Sequence, residues 1–196
     1  QQALDDLYEA ANNLTVTAPF SGKILLGDSP RFEPGDPISS GTTIAKLVDD
    51  HTLTLEQYYS YAYENDIRQG QSVSVSIPAV MGQVTGTVER VNMVERISAE
   101  GSRLFMVEIS VPNEGALTEG MKASASITSG GQAIYPYEQG ELKYSRTADV
   151  VVKANGDVIS NYLLDYLSVS AGQVLMQIDG EDNEADIYNA EEDVKT

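Results

Sequence analysis

A mostly β protein is predicted: two half-motifs of a β-sandwich, a small antiparallel β-barrel set between them, and a short N-terminal helix. Three observations predict it. Thr15 to Asp49 reads TVTAPFSGKILLGDSPRFEPGDPISSGTTIAKLVDD, and part of its pattern returns from Val150 to Asp179, VVVKANGDVISNYLLDYLSVSAGQVLMQID. Between the copies, apolar and polar residues alternate with the period of two that marks half-buried strands. Ahead of the first copy, apolar residues follow helical spacing instead.

Residues 1–13 read as the end of a helix. Leu4, Leu7, Ala11 and Leu14 follow 3-4-3 spacing, the seam of a coiled coil, and Asn12-Asn13 is a stop. A helix this short is marginal alone. It is therefore either the end of a coiled-coil hairpin arm whose partner lies outside the chain, which then opens inside an element at Gln1, or a short helix capping a β domain.

Residues 14–50 hold the first half-motif. In each copy an extended apolar run meets a glycine, Gly22 or Gly156, followed two positions on by Ile24 or Val158. A second block reads Ile38-Ser39-Ser40-Gly41 in one copy and Val169-Ser170-Ala171-Gly172 in the other. Each copy closes on an alternating strand ending in Asp49 or Asp179. The Gly-to-Gly spacing is 19 in the first and 16 in the second, so the match is one of pattern. A repeat of this length cannot bury its own face and must pack on a partner. Two such halves make a lipoyl- or biotinyl-type sandwich. The strands around Val16 to Ile24 and Val151 to Val158 are expected to pack on each other across the insertion.

Residues 51–130 are expected to form the barrel. Val73, Val75 and Ile77 alternate with serines; Phe105, Val107, Ile109 and Val111 with Met106, Glu108 and Ser110; Met121, Ala123, Ala125 and Ile127 with Lys122, Ser124 and Ser126. Turn signals stand at Gly70, Gly82, Gly101 and Gly120, and Tyr63 to Gly70 reads as one helical turn ended by glycine. Gly22 and Gly120 are expected at turn angles that a side chain would penalise. Gly130-Gly131 reads as a hinge into residues 131–180, the second lipoyl-like half or a membrane-proximal domain. Residues 181–196 form an acidic tail; from Asp179 onward eight acids face the single Lys195. The tail lacks the turn glycine of a calcium loop and is expected to be disordered.

Composition narrows the function. The net charge of −18 argues against nucleic acid and against anionic lipid. The absence of cysteine excludes disulfides and thiolate chemistry. His51, the only histidine, sits at the junction of two β segments; Glu95, Glu100 and Glu108 are too scattered for an acid–base pair. Of the 11 tyrosines, Tyr59, Tyr61 and Tyr63 share one face of a strand, where cross-strand packing is the plainer role and sugar stacking the sharper one. No catalytic residue, metal site or cofactor is expected. In lipoyl and biotinyl carriers the cofactor is borne by a lysine at a tight hairpin between the halves. Lys23, Lys46 and Lys153 have neither that position nor the flanking residues.

The order TVTAPFSGKI, GDPISSGTTIAKLVD, LTLEQYYSYAYENDIRQGQSVSVSI, GTVERV and LTEGMKASASI resembles the HlyD-type membrane fusion proteins, adaptor subunits of bacterial export pumps. The resemblance runs from about Gln1 to Thr128. It implies a non-catalytic adaptor of an efflux or ABC transporter, extracytoplasmic and membrane-anchored through a missing N-terminal segment. The implied partners are an inner-membrane ABC-type permease and further copies in a homo-oligomeric ring. It also makes Ser39, Ser40, Gly41 and Thr42 the candidate lumen-facing loop, with Gly22, Gly70, Gly120, Gly156 and Gly172 as structural turns. Two alternatives from other classes are an accessory module of a carboxylase or acyltransferase complex and an extracellular carbohydrate-binding module. In the family a helical hairpin separates the two sandwich halves; here the pre-hairpin type of pattern lies after the barrel. It either completes a sandwich with the first half or forms a membrane-proximal domain.

Overall fold

The computed structural model describes residues 13–180, and at 94 and 95 the backbone alone. The expected N-terminal helix, save Asn13, and the expected acidic tail lie outside the described residues. What is described is mostly β and antiparallel, and no helix among these residues is long and apolar enough to cross a membrane. The chain divides into two units. One joins the residues up to Asp49 with those from Arg146; the other is Asp50–Ser145. The boundary falls inside two long strands, β4 (Thr43–Ser60) and β10 (Gly140–Val151).

In the first unit, one sheet has the order β1 (Thr15–Thr17), β13 (Val174–Asp179), β11 (Gly156–Asn161), β3 (Pro37–Ile38). In the other sheet β4 pairs β2 (Gly22–Leu25), which pairs β12 (Ser168–Val169), and β10 also pairs β4. Exchanging the two halves maps this pairing scheme onto itself: β1 onto β10, β2 onto β11, β3 onto β12 and β4 onto β13. Individual hydrogen bonds obey the exchange. Ala18 N–H donates to Gln173 O as Val152 N–H does to Thr42 O, both at 2.9 Å. Gly172 N–H reaches Ala18 O and Gly41 N–H reaches Val152 O, both at 2.8 Å. Ile24 N–H reaches Leu167 O and Val158 N–H reaches Asp36 O, both at 2.9 Å. The unit is a pseudo-two-fold, and the longer Gly-to-Gly spacing of the first copy is taken up between β2 and β3.

Neither half has a core of its own. Val16, Phe20, Ile24, Ile44 and Leu47 from the first half pack with Val150, Val152, Val158, Leu175 and Ile178 from the second, all nearly inaccessible to water. Each such side chain contributes about 1.5–3 kcal/mol through burial, which only the joined halves supply.

The second unit has the strand order β10, β8 (Lys122–Ser129), β5 (Ser72–Ile77), β6 (Gly82–Ile97), β7 (Arg103–Pro112), β4, with β9 (Gln132–Ile134) on β8. The alternating residues point as the period dictates. Val73, Val75, Ile77, Phe105, Val107, Ile109, Ala123, Ala125 and Ile127 form the core with Leu53, Leu55 and Tyr59.

Three local expectations need correction. Gly130-Gly131 is no hinge: with φ of 57° and 83° it is the two-residue turn of a hairpin in which Ser129 pairs Gln132. Glycine is there because both central residues need left-handed angles. The strand expected through Tyr63 ends at Ser60, whose hydroxyl accepts from Ala62 N–H and starts a short 3-10 turn over Tyr61–Tyr63. Residues 132–145 run with the second unit, so the division falls at 145/146 where a boundary at 131 was expected.

Candidate functional site

The loop from Ser39 to Thr42 joins β3 to β4 in the first unit. Ser39, Ser40 and Gly41 are exposed and Thr42 is half-buried. Gly41 has φ 88°, which permits the turn, and Thr42 N–H donates to Ser39 O at 3.2 Å. The Thr42 hydroxyl is spent on the same oxygen at 2.7 Å. Ser40 N–H is held by Asn155 Oδ1 at 2.9 Å. The loop is therefore rigid, and the hydroxyl groups it offers to solvent are those of Ser39 and Ser40. Its mate at Val169 to Gln173 is built alike: Gly172 has φ 78°, and Ala171 N–H is held by Ser21 Oγ at 2.9 Å.

The expected turn glycines separate into two kinds. Gly70 (φ 84°), Gly120 (φ 87°) and Gly172 occupy left-handed turns. Gly22 and Gly156 instead open strands β2 and β11. A Cβ on Gly22 would stand 2.3 Å from Val48 O, and one on Gly156 would stand 2.1 Å from Asp179 O. The expectation of a strained turn angle at Gly22 is thus corrected. Glycine is required there because another backbone passes too close for any side chain.

A groove of about 340 Å³ lies in the first unit between the two-fold-related strands β1 and β10. Thr15, Thr17 and Pro19 line one side; Asp149, Val151 and Lys153 line the other. Of the lysines considered as carriers, Lys153 borders this groove, whereas Lys23 lies in β2 and Lys46 in β4. His51 lies in β4 with its side chain 76% exposed, 4.0 Å from Asp50. It converges with neither Glu100 nor Glu108: Glu108 pairs Arg90 at 3.4 Å, and Glu100 accepts from the Tyr137 hydroxyl. That bond holds the Glu100 carboxyl below its usual range and raises the Tyr137 phenol.

Two features escaped the sequence. Gln57, 1% exposed, donates to Ala123 O at 3.2 Å and to Glu138 O at 3.1 Å, and accepts from Ala125 N–H at 2.7 Å. Beside it the Tyr59 hydroxyl donates to Ala125 O at 2.7 Å, and burial raises its pKa. Side chains of β4 thus satisfy the backbone of β8. The signal was present, since Gln57 stands at an inward position in the run Leu53, Leu55, Gln57, Tyr59. The second feature is Tyr166, whose φ of 63° no local motif announces.

No family model, curated protein or solved structure matches this chain.

Proposed function

We propose that the chain is a non-catalytic adaptor of a bacterial export system, of the HlyD membrane-fusion type. In this reading residues 14–49 and 146–180 are a lipoyl-like sandwich and residues 50–145 a small β-barrel. The observation that favours it over a cofactor-carrier module is where the second unit is inserted. The first half ends at Asp49 and the second begins at Arg146, with all of residues 50–145 between them. In a carrier domain that junction is a tight hairpin bearing the modified lysine. Here a complete second core stands in its place, and the two halves still share one core. Such a sandwich supplies rigid surface and no swinging arm. The adaptor then bridges an inner-membrane ABC-type permease to the exit path as a ring of copies, outside the cytoplasm. The loop Ser39–Thr42 faces the passage, where its hydroxyl groups suit a wetted wall.

The test is export by the full-length protein with its own permease and ATPase. Ser39→Trp with Ser40→Trp should cut export while melting temperature and permease binding stay unchanged. Thr42 is left alone because its hydroxyl closes the turn. Export abolished by His51→Ala and untouched by the tryptophans would overturn the reading. So would a lysine-linked cofactor in the intact mass of the native protein, which belongs to a carrier module.

A further inference from the structure

The groove between β1 and β10 has open backbone on both walls. Hydrogen bonds in antiparallel strands alternate, so every second residue turns its N–H and C=O away from the partner strand. In β1 the bonds to β13 fall on even-numbered residues. Leu14 O accepts from Ile178 N–H, and Ala18 N–H donates to Gln173 O, both at 2.9 Å. Thr15 and Thr17 therefore direct their peptide groups away from β13, and β1 is the end strand of its sheet. The same parity holds in β10. Val152 N–H donates to Thr42 O at 2.9 Å and Val152 O accepts from Gly41 N–H at 2.8 Å, so Asp149 and Val151 face away from β4. The pairing of β10 with β8 lies further back, at Gly140 and Glu141. Thr15, Thr17, Asp149 and Val151 all line the groove.

An open strand edge is a template for another extended chain. On the β10 wall the edge also carries a charge order. Asp149, Val151 and Lys153 stand at every second position, so their side chains share one face. Among the described residues neither Asp149 nor Lys153 has an ion-pair partner. An antiparallel strand laid on this edge sets its own side chains opposite these three. Read along its own direction, the matching strand has an acid opposite Lys153, an apolar residue opposite Val151 and a base opposite Asp149.

We propose that the β10 edge takes up an extended segment of another protein as an added strand, reading acid-x-apolar-x-base between basic flanks. Open peptide groups at strand spacing select a polypeptide, and the three side chains select its order. The net charge of −18 selects the flanks. It also weighs against a second copy: β10 itself reads acid-x-apolar-x-base from Asp149 to Lys153, but two such chains repel. This docking goes beyond the adaptor reading and does not depend on it.

The probe is the fluorescein-labelled, C-terminally amidated peptide KKETVTKKK, titrated with the full chain and followed by anisotropy. Saturable one-to-one binding with Kd of about 0.1 mM is expected. The peptide groups of its valine and of Val151 face each other in the added ladder. N-methylation of that valine should therefore weaken binding at least about tenfold at unchanged charge. Val151→Pro removes the donor on the protein side and should do the same. The lost N–H lies on the open edge, so the melting temperature should hold. Asp149→Lys with Lys153→Asp keeps the net charge and should weaken binding about threefold to tenfold. Binding that never saturates, or that survives either N-methylation or Val151→Pro, is plain charge attraction and overturns the proposal. The N-methylated peptide decides on the unaltered protein even where Val151→Pro lowers stability. A reversible dimer in sedimentation velocity that Val151→Pro dissolves would assign the edge to a second copy and overturn it as well.

Discussion

The two halves of the first unit follow one bonding plan and differ in what they display. Residues 14–49 and 146–180 share a set of matching hydrogen bonds whose lengths agree to within about 0.2 Å, including the side-chain props Ser21 and Asn155 on the mate turns. Yet one crossover carries Asp28, Arg31, Glu33 and Pro34-Gly35, and the other Tyr162, Leu164, Asp165 and Tyr166. In the turn closed by Asp36 N–H to Glu33 O the left-handed residue is Gly35 (φ 93°); in its mate, closed by Leu167 N–H to Leu164 O, it is Tyr166 (φ 63°). Close-approach positions Gly22 and Gly156 and core positions Ile38 and Val169 are alike in type, because a side-chain change there costs both sheets. Positions that face solvent were free to diverge. The repeat therefore reports on the fold.

The largest expected effect tests the shared plan. Gly22→Ala and Gly156→Ala each press a methyl against a backbone carbonyl, which cannot swing aside as a side chain can. Each should cost about 3 kcal/mol or more, read as a lower urea midpoint. Equal losses support the two-fold. Tolerance at either position would mean that the two strands do not approach as closely as described.

Next in size is the test of the difference. Gly35 has open space within 4 Å of a built Cβ, so the Cβ of Gly35→Tyr meets no clash and the expected cost is that of the left-handed angle, about 2 kcal/mol. Reciprocally, Tyr166→Gly should be neutral or stabilising. If Gly35→Tyr costs nothing by thermal melting, Tyr166 carries no strain.

A third prediction separates the units by pH. The buried Tyr59 phenol belongs to the second unit, and its pKa is raised by burial in the folded state. A raised pKa gives stability that is complete below the unfolded value of about 10 and lost as pH climbs past it. Above about pH 10 the second unit should lose up to about 1.4 kcal/mol per pH unit. Tyr59→Phe should abolish this slope, at a cost near neutral pH of about 1 kcal/mol for the unpaired Ala125 O. An alkaline slope that persists in Tyr59→Phe would assign it elsewhere.

How far the sequence carried follows from the same comparison. Gly22 with Gly156 and Ile38 with Val169 were legible, since backbone approach and core positions restrict residue type to glycine or β-branched. Strand faces in the second unit were legible for the same reason, as alternation is written in Val73, Val75 and Ile77. The reason for Gly22 was not: a residue list shows that glycine is needed but not whether angle or contact demands it. Nor was Gly130-Gly131, whose two left-handed angles suit a hairpin as well as a linker. Tyr166 was invisible because the turn signal Pro34-Gly35 is absent from its mate, and without the hydrogen bonds nothing aligns the two crossovers. The Ser39–Thr42 loop was found as a turn, while its rigidity depends on Asn155, which lies 115 residues away from Ser40.

The smallest effect examines the props one by one. Ser21 Oγ holds Ala171 N–H and Asn155 Oδ1 holds Ser40 N–H, each at 2.9 Å and each at the surface. Ser21→Ala and Asn155→Ala leave an exposed amide that water can reach, so each should cost about 1 kcal/mol or less. The two bonds share no partner, and the double variant should show the sum of the single losses within about 0.5 kcal/mol. Urea midpoints at unchanged m-value measure all three. Asn155→Ala should also speed exchange of the Ser40 amide, and Ser21→Ala that of Ala171, each leaving the other turn protected. A cost confined to one prop, or exchange that spreads to both turns, would mean that the halves are coupled parts of one loop system. Equal costs with local exchange are what a two-fold made of independent, equivalent turns requires.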